Sequence, residues 1–390
     1  MDETLVILLI IVGAFIAPLI ARLIHIPVAV AEIGYGILIG NIFGYKGSEI
    51  YIIEFLSEFG FLLLMFLAGL EIDFNLIERL PPKKLIFFFF YPPTITITSV
   101  ILFYYMGKQI ITGMLISVIA IGLSFTLLKE LNIINTDIGK NLIIIGGIGE
   151  IWSLLILTFA DIYGIHGLNM DAILSFSKIV FLFISLMFLF HILRLAVWWY
   201  PEVFQRIMYE KDPSAVGIRI SLVLMFSFSL LVKLVGMESI LGAFIGGILI
   251  SYFLRKKGDL VSKLSAFGYG FLIPIFFINF GMGIDLNNFM KISTIIEGIM
   301  LTFAIFFVRF LTIPYMKLLA IDIKKGTFII LSLSFPFTLL IVGSEIAYYT
   351  GAISEQTKVS LILSAILSSI AFPWATKLYA KSDKALGIKD

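Results

Sequence analysis

The amino-acid sequence predicts an all-α membrane protein with about thirteen transmembrane helices, arranged as two inverted six-helix repeats joined by a linker helix. Composition is the first indication, since 60% of the residues are hydrophobic, only 14% are charged and the mean hydropathy is +1.08. Soluble chains carry about 25% charged residues. The other two indications are long apolar stretches that recur along the chain and short motifs that occur twice.

The apolar stretches are each long enough to cross a bilayer, which takes about 17–25 residues. They lie near residues 4–22, 27–44, 53–72, 84–106, 110–128, 139–162, 172–197, 215–235, 238–254, 265–283, 292–316, 327–348 and 357–376. The first ten residues lack the basic segment and cleavage site of a signal peptide, so we expect them to belong to the first span. We expect no attached soluble domain, because a short tail over 377–390 follows the last span.

Loop charges predict the orientation of these spans. Nineteen Lys and Arg residues fall in one set of alternate loops and in the C-terminal tail, whereas the opposite loops hold five: Lys46, Lys108, Lys233, Lys291 and Lys358. Basic residues accumulate in the cytoplasmic loops of a membrane protein. We therefore expect a multi-pass protein of the cell membrane, with its N-terminus outside and its C-terminus in the cytoplasm.

Three short motifs of the first half recur in the second half. AEIG at 31–34 matches AFIG at 243–246, GLEIDFN at 69–75 matches GMGIDLN at 281–287, and LSF at 123–125 matches LSF at 333–335. The offsets are 212, 212 and 210 residues. Matching helices are therefore seven predicted spans apart. Because seven is odd, the two repeats must have opposite orientations in the membrane. Inverted repeats are typical of secondary transporters, whose ion sites lie near the membrane midplane.

The repeats divide one integral membrane domain, which covers residues 1–390, into consecutive segments. Repeat one covers about 4–162, a linker helix about 172–214 and repeat two about 215–376. The end of the linker, from Tyr200 to Ser214, is basic and polar, which is typical of an amphipathic helix at the membrane surface.

Two equivalent spans, the fifth and the twelfth, carry features of interrupted helices. The fifth contains Gly122, Ser124 and Thr126, and the twelfth contains Pro336 two residues after Ser334. Proline removes a backbone donor and clashes with the preceding turn. Freed carbonyl groups are tolerated inside a membrane only where protein buries them or they line a cavity. Crossing interrupted helices would bring oppositely charged helix ends together, and the alternative is an ordinary kink.

Glu150 is the strongest candidate for a functional residue. It lies near the middle of the apolar stretch from Gly139 to Ala160, with no basic residue close to it in sequence. A carboxylate in this place costs at least ~2.5–3.5 kcal/mol, and ionisable residues within spans usually serve an ion or proton pathway. Ser124, Thr126 and freed backbone carbonyls would supply the further oxygen ligands that a small hard cation needs.

Three segments resemble signature helices of the monovalent cation:proton antiporter superfamily: PVAVAEIGYGILIGNIFG at 27–44, EFGFLLLMFLAGLEIDF at 58–74 and GFLIPIFFINFGMGIDL at 270–286. Together with the span count and the inverted repeat, the resemblance covers essentially the whole chain. It implies that Gly149-Glu150 replaces the acid pair or Asn-Asp pair of the sixth span. It also implies that Arg309, on a helix crossing behind the site, neutralises the acid or the negative ends of the broken helices, and that the chain can form a homodimer.

Two further acids are weaker candidates. Glu71 lies near the end of the third span, and Glu32 lies in the second. Asp73 is matched in the second repeat by Asp285, which indicates a structural helix-end role, whereas Glu71 is matched by Gly283. We expect Glu71 and Glu32 to line an inner funnel.

These features predict a secondary active antiporter that exchanges a monovalent cation, most readily Na+, for H+ by competition for Glu150. K+ is the alternative cargo and Li+ a further one, while a passive cation channel and an organic-anion symporter are rival classes. The symporter would need a basic or amide-rich pocket, for which Asn279 and Arg309 are the candidates.

The sequence contains no nucleophile–base pair and no phosphate loop, so it predicts neither an enzyme nor a cofactor. A net charge of +2 does not support nucleic-acid binding, and the lack of cysteine excludes thiolate metal sites.

Overall fold

The computed structural model describes residues 3–44, 50–72, 80–167, 216–253 and 258–382, together with Leu76 and single residues between 169 and 199. Within these residues every regular element is a helix, and no strand occurs. The predicted seventh span at 172–197, the linker from Tyr200 to Ser214, Asp73 and the last eight residues of the tail lie wholly or largely outside the described residues.

The helices are numbered here in chain order. The first half contains α1 Glu3–Ile24, α2 Val28–Phe43, α3 Tyr51–Glu71, α4 Pro82–Tyr105, α5 Ile110–Ile116, α6 Gly122–Glu130 and α7 Asp137–His166. The second half contains α8 Val216–Leu234, α9 Ser239–Phe253, α10 Gly258–Phe267, α11 Ile273–Met282, α12 Leu286–Phe289, α13 Ile292–Leu311, α14 Ile313–Leu318, α15 Ile323–Ser332, α16 Phe337–Tyr349 and α17 Glu355–Ser382. A π-helical turn, Gly268–Leu272, joins α10 to α11.

Among the described residues, length and composition allow eight helical segments to cross a membrane, two of which combine α10 with α11 and α13 with α14. The number is nine if the bent pair of α15 and α16 is one span. Two shorter apolar helices, α2 and α9, add to these. Each predicted apolar stretch except the seventh coincides with a described helix or with a pair of consecutive helices. The all-helical membrane fold predicted from the sequence is confirmed, while the count of thirteen spans stays a prediction.

The chain forms two compact units, and each unit takes residues from both halves of the sequence. Unit one comprises residues 1–72 and 168–285, and unit two comprises residues 73–167 and 286–390. Glu150 and Arg309 both lie in unit two, whereas Glu32 and Glu71 lie in unit one.

Unit one is held together by helices whose backbones approach closely at glycine. In the contact of α2 with α11, a methyl group on Gly36 would lie 2.1 Å from the carbonyl oxygen of Ile278. In the contact of α3 with α9, a methyl group on Gly247 would lie 2.1 Å from the carbonyl oxygen of Phe66. Small residues permit this close packing within a membrane, where apolar burial does not drive helices together.

Unit two surrounds two broken helices with longer ones. The first break separates α5 from α6 over residues 117–121, and the second separates α15 from α16 over residues 333–336. The axes of α15 and α16 differ by 53°. The helix α7 packs on α4 and α16, and α17 packs on α13, α15 and α16, so that both breaks are enclosed by helices of the same unit.

Candidate functional site

Glu150 lies near the middle of α7 and is buried, with 1% of its surface exposed. The helix around it is long because its N-terminus is capped and its body is apolar. Thr136 precedes the first turn, and its hydroxyl accepts a hydrogen bond from the backbone nitrogen of Gly139 at 3.2 Å. Such a cap satisfies one of the backbone donors that the first turn leaves unpaired. The local sequence therefore fixes the carboxylate at mid-helix.

The first broken helix is stabilised by Arg309, which is fully buried on α13. Its Nη1 atom donates to the carbonyl oxygen of Ile116 at 3.0 Å, and its Nη2 atom donates to that of Val118 at 2.5 Å. The carbonyl of Ile116 belongs to the last residue of α5, and that of Val118 lies in the break that follows. Neither carbonyl is therefore followed by a further turn of α5 that could bond to it. The guanidinium places positive charge at the negative end of the α5 dipole. Arg309 also bonds to its own helix at Ile305, at 2.8 Å.

A second group from α7 binds the same break. The backbone nitrogen of Ile119 donates to the hydroxyl of Ser153 at 2.6 Å, and that hydroxyl donates to the carbonyl oxygen of Gly149 at 2.7 Å. A methyl group on Gly149 would lie 2.6 Å from Cδ1 and 3.0 Å from Cβ of Ile119. The break thus packs directly on α7 at the residue next to Glu150.

Further polar side chains complete this surrounding. The indole nitrogen of Trp152 donates to the hydroxyl of Thr96 at 3.0 Å, and that hydroxyl lies 3.0 Å from the hydroxyl of Ser117. Ser117 in turn donates to the carbonyl oxygen of Met114 at 2.6 Å.

The sequence did not predict a role for Thr96, Ser117, Trp152 or Ser153. The one available signal was the position of Ser153, three residues after Glu150 and therefore next to it on the helix surface.

The two broken helices contact each other through Ser124. Its hydroxyl donates to the carbonyl oxygen of Ser332 at 2.5 Å, which ties α6 to the end of α15. The hydroxyl of Ser332 is itself buried and has no hydrogen-bond partner among the described residues. Ser124 and Ser332 therefore bring two hydroxyl groups to the junction of the two breaks.

The remaining candidates lie as follows. Thr126 is exposed on α6 and bonds to the carbonyl oxygen of Gly122 at 3.2 Å, and Gly122 is the first residue of α6. Ser334 lies in the second break and donates to the carbonyl oxygen of Ile330 at 2.6 Å, and Pro336 directly precedes α16. Glu32 is buried in α2, and Glu71 ends α3.

The arrangement in unit two is suited to a small monovalent cation. It offers one mid-helix carboxylate, buried hydroxyls and backbone oxygens, which are hard ligands. Among the described residues no group of three His, Asp or Glu side chains could hold a metal ion. A single carboxylate can neutralise one monovalent cation or hold one proton.

Comparison with known proteins identifies the family of this chain. The model of the sodium/hydrogen exchanger transmembrane family matches residues 10–380. The chain is 28% identical, over 98% of its length, to YjbQ of Bacillus subtilis, named as a candidate Na+/H+ antiporter, and covers 64% of that relative. It is 26% identical to "Probable Na(+)/H(+) antiporter 3" of Methanocaldococcus jannaschii, with 93% of each chain covered.

A solved structure shares the fold. The sodium proton antiporter MjNhaP1 of Methanocaldococcus jannaschii superposes with a TM-score of 0.65 over 98% of this chain and 96% of that one, at 16% identity. This likeness establishes the architecture, and the family model adds the family because it covers nearly the whole chain. The protein is a member of the sodium/hydrogen exchanger family.

Proposed function

We propose that this protein is a secondary active antiporter that exchanges Na+ for H+ across the cell membrane by competition for Glu150. Membership of the sodium/hydrogen exchanger family supports the reaction class. The names of the relatives support Na+ and H+ as cargo. The observation that carries the residue assignment is the burial of Glu150 at mid-helix, beside a broken helix in unit two.

In the proposed mechanism the deprotonated carboxylate binds the cation and the protonated carboxyl group releases it. A hydroxyl group has two acceptor lone pairs, so Ser124 can bind a cation while it donates to the carbonyl oxygen of Ser332. The binding site changes from one side of the membrane to the other only when it holds a cation or a proton. The cation gradient therefore drives proton movement without ATP. Roles for Thr126, Glu71 and Glu32 stay predictions, as do K+ or Li+ as cargo and a homodimer.

The inverted repeat belongs to the same proposal, and the packing of unit one supports it. Gly36 and Gly247 are 211 residues apart, and the residues they contact, Ile278 and Phe66, are 212 residues apart. Thus α2 packs on α11 as α9 packs on α3, which is the exchange of partners that a twofold-related repeat produces. Opposite orientation of the two repeats follows from the odd number of predicted spans between them.

The orientation can be tested directly because the chain contains no cysteine. Single substitutions Lys291→Cys and Lys325→Cys, at the start of α13 and in α15, fall in loops predicted to lie outside and inside the cell, respectively. An impermeant maleimide added to intact cells should label the first variant and spare the second. Labelling of both from one side would contradict the topology.

The substitution Glu150→Gln tests the mechanism because it keeps the size of the side chain and removes its ionisation. Na+-driven proton flux in proteoliposomes should fall to the background of empty vesicles, while the thermal stability of the purified protein stays close to that of the wild type. The matched control is Glu130→Gln, a change at an exposed residue of the same unit that pairs with Lys377 at 2.6 Å. Undiminished flux in Glu150→Gln would refute the proposal.

The same assay separates the rival functions. An antiporter moves Na+ only in exchange for protons, so collapsing the coupled proton gradient must change the Na+ flux. A channel would conduct Na+ without any proton movement. Adding Na+, Li+ and K+ in turn to the same vesicles ranks the three candidate cargoes.

A further inference from the structure

Unit two contains a second polar feature, a cavity of about 510 Å³ whose lining does not include Glu150. It opens where α4 ends and where α5, α13 and α17 begin, so four helix ends surround it. Its volume is within the range of pockets that hold small organic ligands. Phe103, Met300 and Leu301 are among its apolar lining residues, and Lys108, Glu297 and Gln356 are among its polar ones.

We infer that the mouth of this cavity lies at the level of the lipid headgroups. Helices that cross a membrane end at its interface, and α4, α13 and α17 belong to segments long and apolar enough to cross one. Tyr104 and Tyr105, at the end of α4, are 68% and 82% exposed. Exposed tyrosines of this kind form the aromatic belt between the hydrocarbon core and water. The apolar lining therefore extends from the headgroup level into the hydrocarbon layer.

The lining carries one positive and one negative charge. The ammonium group of Lys108 makes no hydrogen bond or ion pair with any residue that the structure describes. The Glu297 carboxylate is held in place, since its Oε2 atom accepts hydrogen bonds from Gln356 Nε2 at 3.3 Å and from the Ser360 hydroxyl at 3.0 Å. The charges of the lining sum to zero, so a ligand with one charge of each sign fits best.

We propose that this cavity binds a zwitterionic phospholipid whose headgroup ends in a primary amine, as in phosphatidylethanolamine. Lys108 binds the phosphate, and Glu297 binds the ammonium group. The first part of one acyl chain lies along Phe103, Met300 and Leu301. An anionic lipid such as phosphatidylglycerol would bring its phosphate to Lys108 but no ammonium group to Glu297, and free phosphate would leave the apolar lining uncovered. The site is independent of the proposed ion exchange, because none of its residues belongs to the surroundings of Glu150.

The test is native mass spectrometry of the intact protein, released from vesicles of equal amounts of phosphatidylethanolamine and phosphatidylglycerol. The wild type should retain phosphatidylethanolamine in preference to phosphatidylglycerol. Lys108→Ala should reduce the retained phospholipid by about fivefold, the loss expected from one partly exposed ion pair of ~1 kcal/mol. Glu297→Gln should keep total retention while removing the preference for phosphatidylethanolamine.

The matched control is Lys291→Ala. Lys291 is an exposed lysine at the same end of α13, but it bonds to Asn288 at 2.6 Å and does not line the cavity. Retention by this variant should equal that of the wild type. The proposal is overturned if Lys108→Ala retains as much phospholipid as Lys291→Ala, or if the wild type retains the two lipids equally.

Discussion

Two buried side chains of opposite charge define the candidate site at the residue scale, and they act on the backbone in different ways. Arg309 donates to two carbonyl oxygens that a broken helix leaves without intrahelical partners. Glu150 lies on α7, and its neighbour Gly149 packs on the same break. An unpaired backbone carbonyl in hydrocarbon costs several kcal/mol. Arg309 therefore stabilises the irregular backbone on which the proposed ion site depends.

The geometry of Arg309 predicts that lysine cannot replace it. A lysine keeps the charge but lacks the planar fork that reaches two separate carbonyls. Arg309→Lys should lower stability by about 1.5–3 kcal/mol, the value of a hydrogen bond to a charged group. Thermal unfolding of the detergent-purified protein measures this loss. Arg219→Lys, at an exposed position of α8, is the control and should change stability by less than about 0.5 kcal/mol. Equal stability of both variants would contradict the assigned role.

The sequence indicates charged site residues far better than hydroxyl ones. Glu150 and Arg309 stand out because charge inside an apolar span is rare. Ser153 does not stand out, because serines in these helices commonly bond back to their own turn, as Ser344 and Ser364 do. What distinguishes Ser153 is its second bond to the backbone nitrogen of Ile119, 34 residues earlier. A contact of that separation leaves no local pattern in the sequence.

At the scale of elements, the two breaks differ in how much their own sequence reveals. The second contains Pro336, directly before α16, and proline predicts an interruption there. The first runs over SVIAI at 117–121 and contains neither proline nor glycine, whereas the prediction centred on Gly122, Ser124 and Thr126, which lie in α6. Partners from α13 and α7 stabilise this break, so its position depends on tertiary contacts.

The contact between α7 and the first break predicts a coupling between Gly149 and Ile119. Gly149→Ala should destabilise the protein by about 1–3 kcal/mol, because the new methyl group overlaps the side chain of Ile119. Ile119→Ala alone should cost about 2–5 kcal/mol through the cavity it leaves. The double variant should be more stable than the sum of the two losses predicts. A double-mutant cycle of thermal unfolding checks this, and strict additivity would show that the contact is absent in solution.

At the scale of the whole molecule, the predicted repeats and the compact units are two different divisions of the chain. Unit one holds the first three predicted spans together with the eighth to tenth, and unit two holds the fourth to sixth together with the eleventh to thirteenth. Motif offsets predict the repeats, since the matching motifs keep their order along the chain. They do not indicate the units, because each unit forms by packing between segments about 200 residues apart.

The division into units also separates the acidic residues that are candidates for ion or proton binding. Glu150 lies in unit two, whereas Glu32, which is buried, and Glu71 lie in unit one. Gly149, the other member of the pair on α7, has no room for a carboxylate beside Ile119. Arg309 cannot release a proton in a protein and so cannot contribute a second one. Around the first break, Glu150 is therefore the carboxylate that we propose to alternate between a proton and a cation.

This arrangement predicts electroneutral exchange of one Na+ for one proton. A single carboxylate is neutralised equally by one monovalent cation or one proton, so both loaded states carry the same charge across the membrane. The exchange rate should then be independent of membrane potential. Proteoliposomes clamped at several potentials with K+ and valinomycin measure this, with Glu150→Gln vesicles as the leak control. A clear change of rate with voltage would contradict the prediction. If Glu32→Gln then abolished that voltage dependence, the additional charge would be assigned to a second proton carried in unit one.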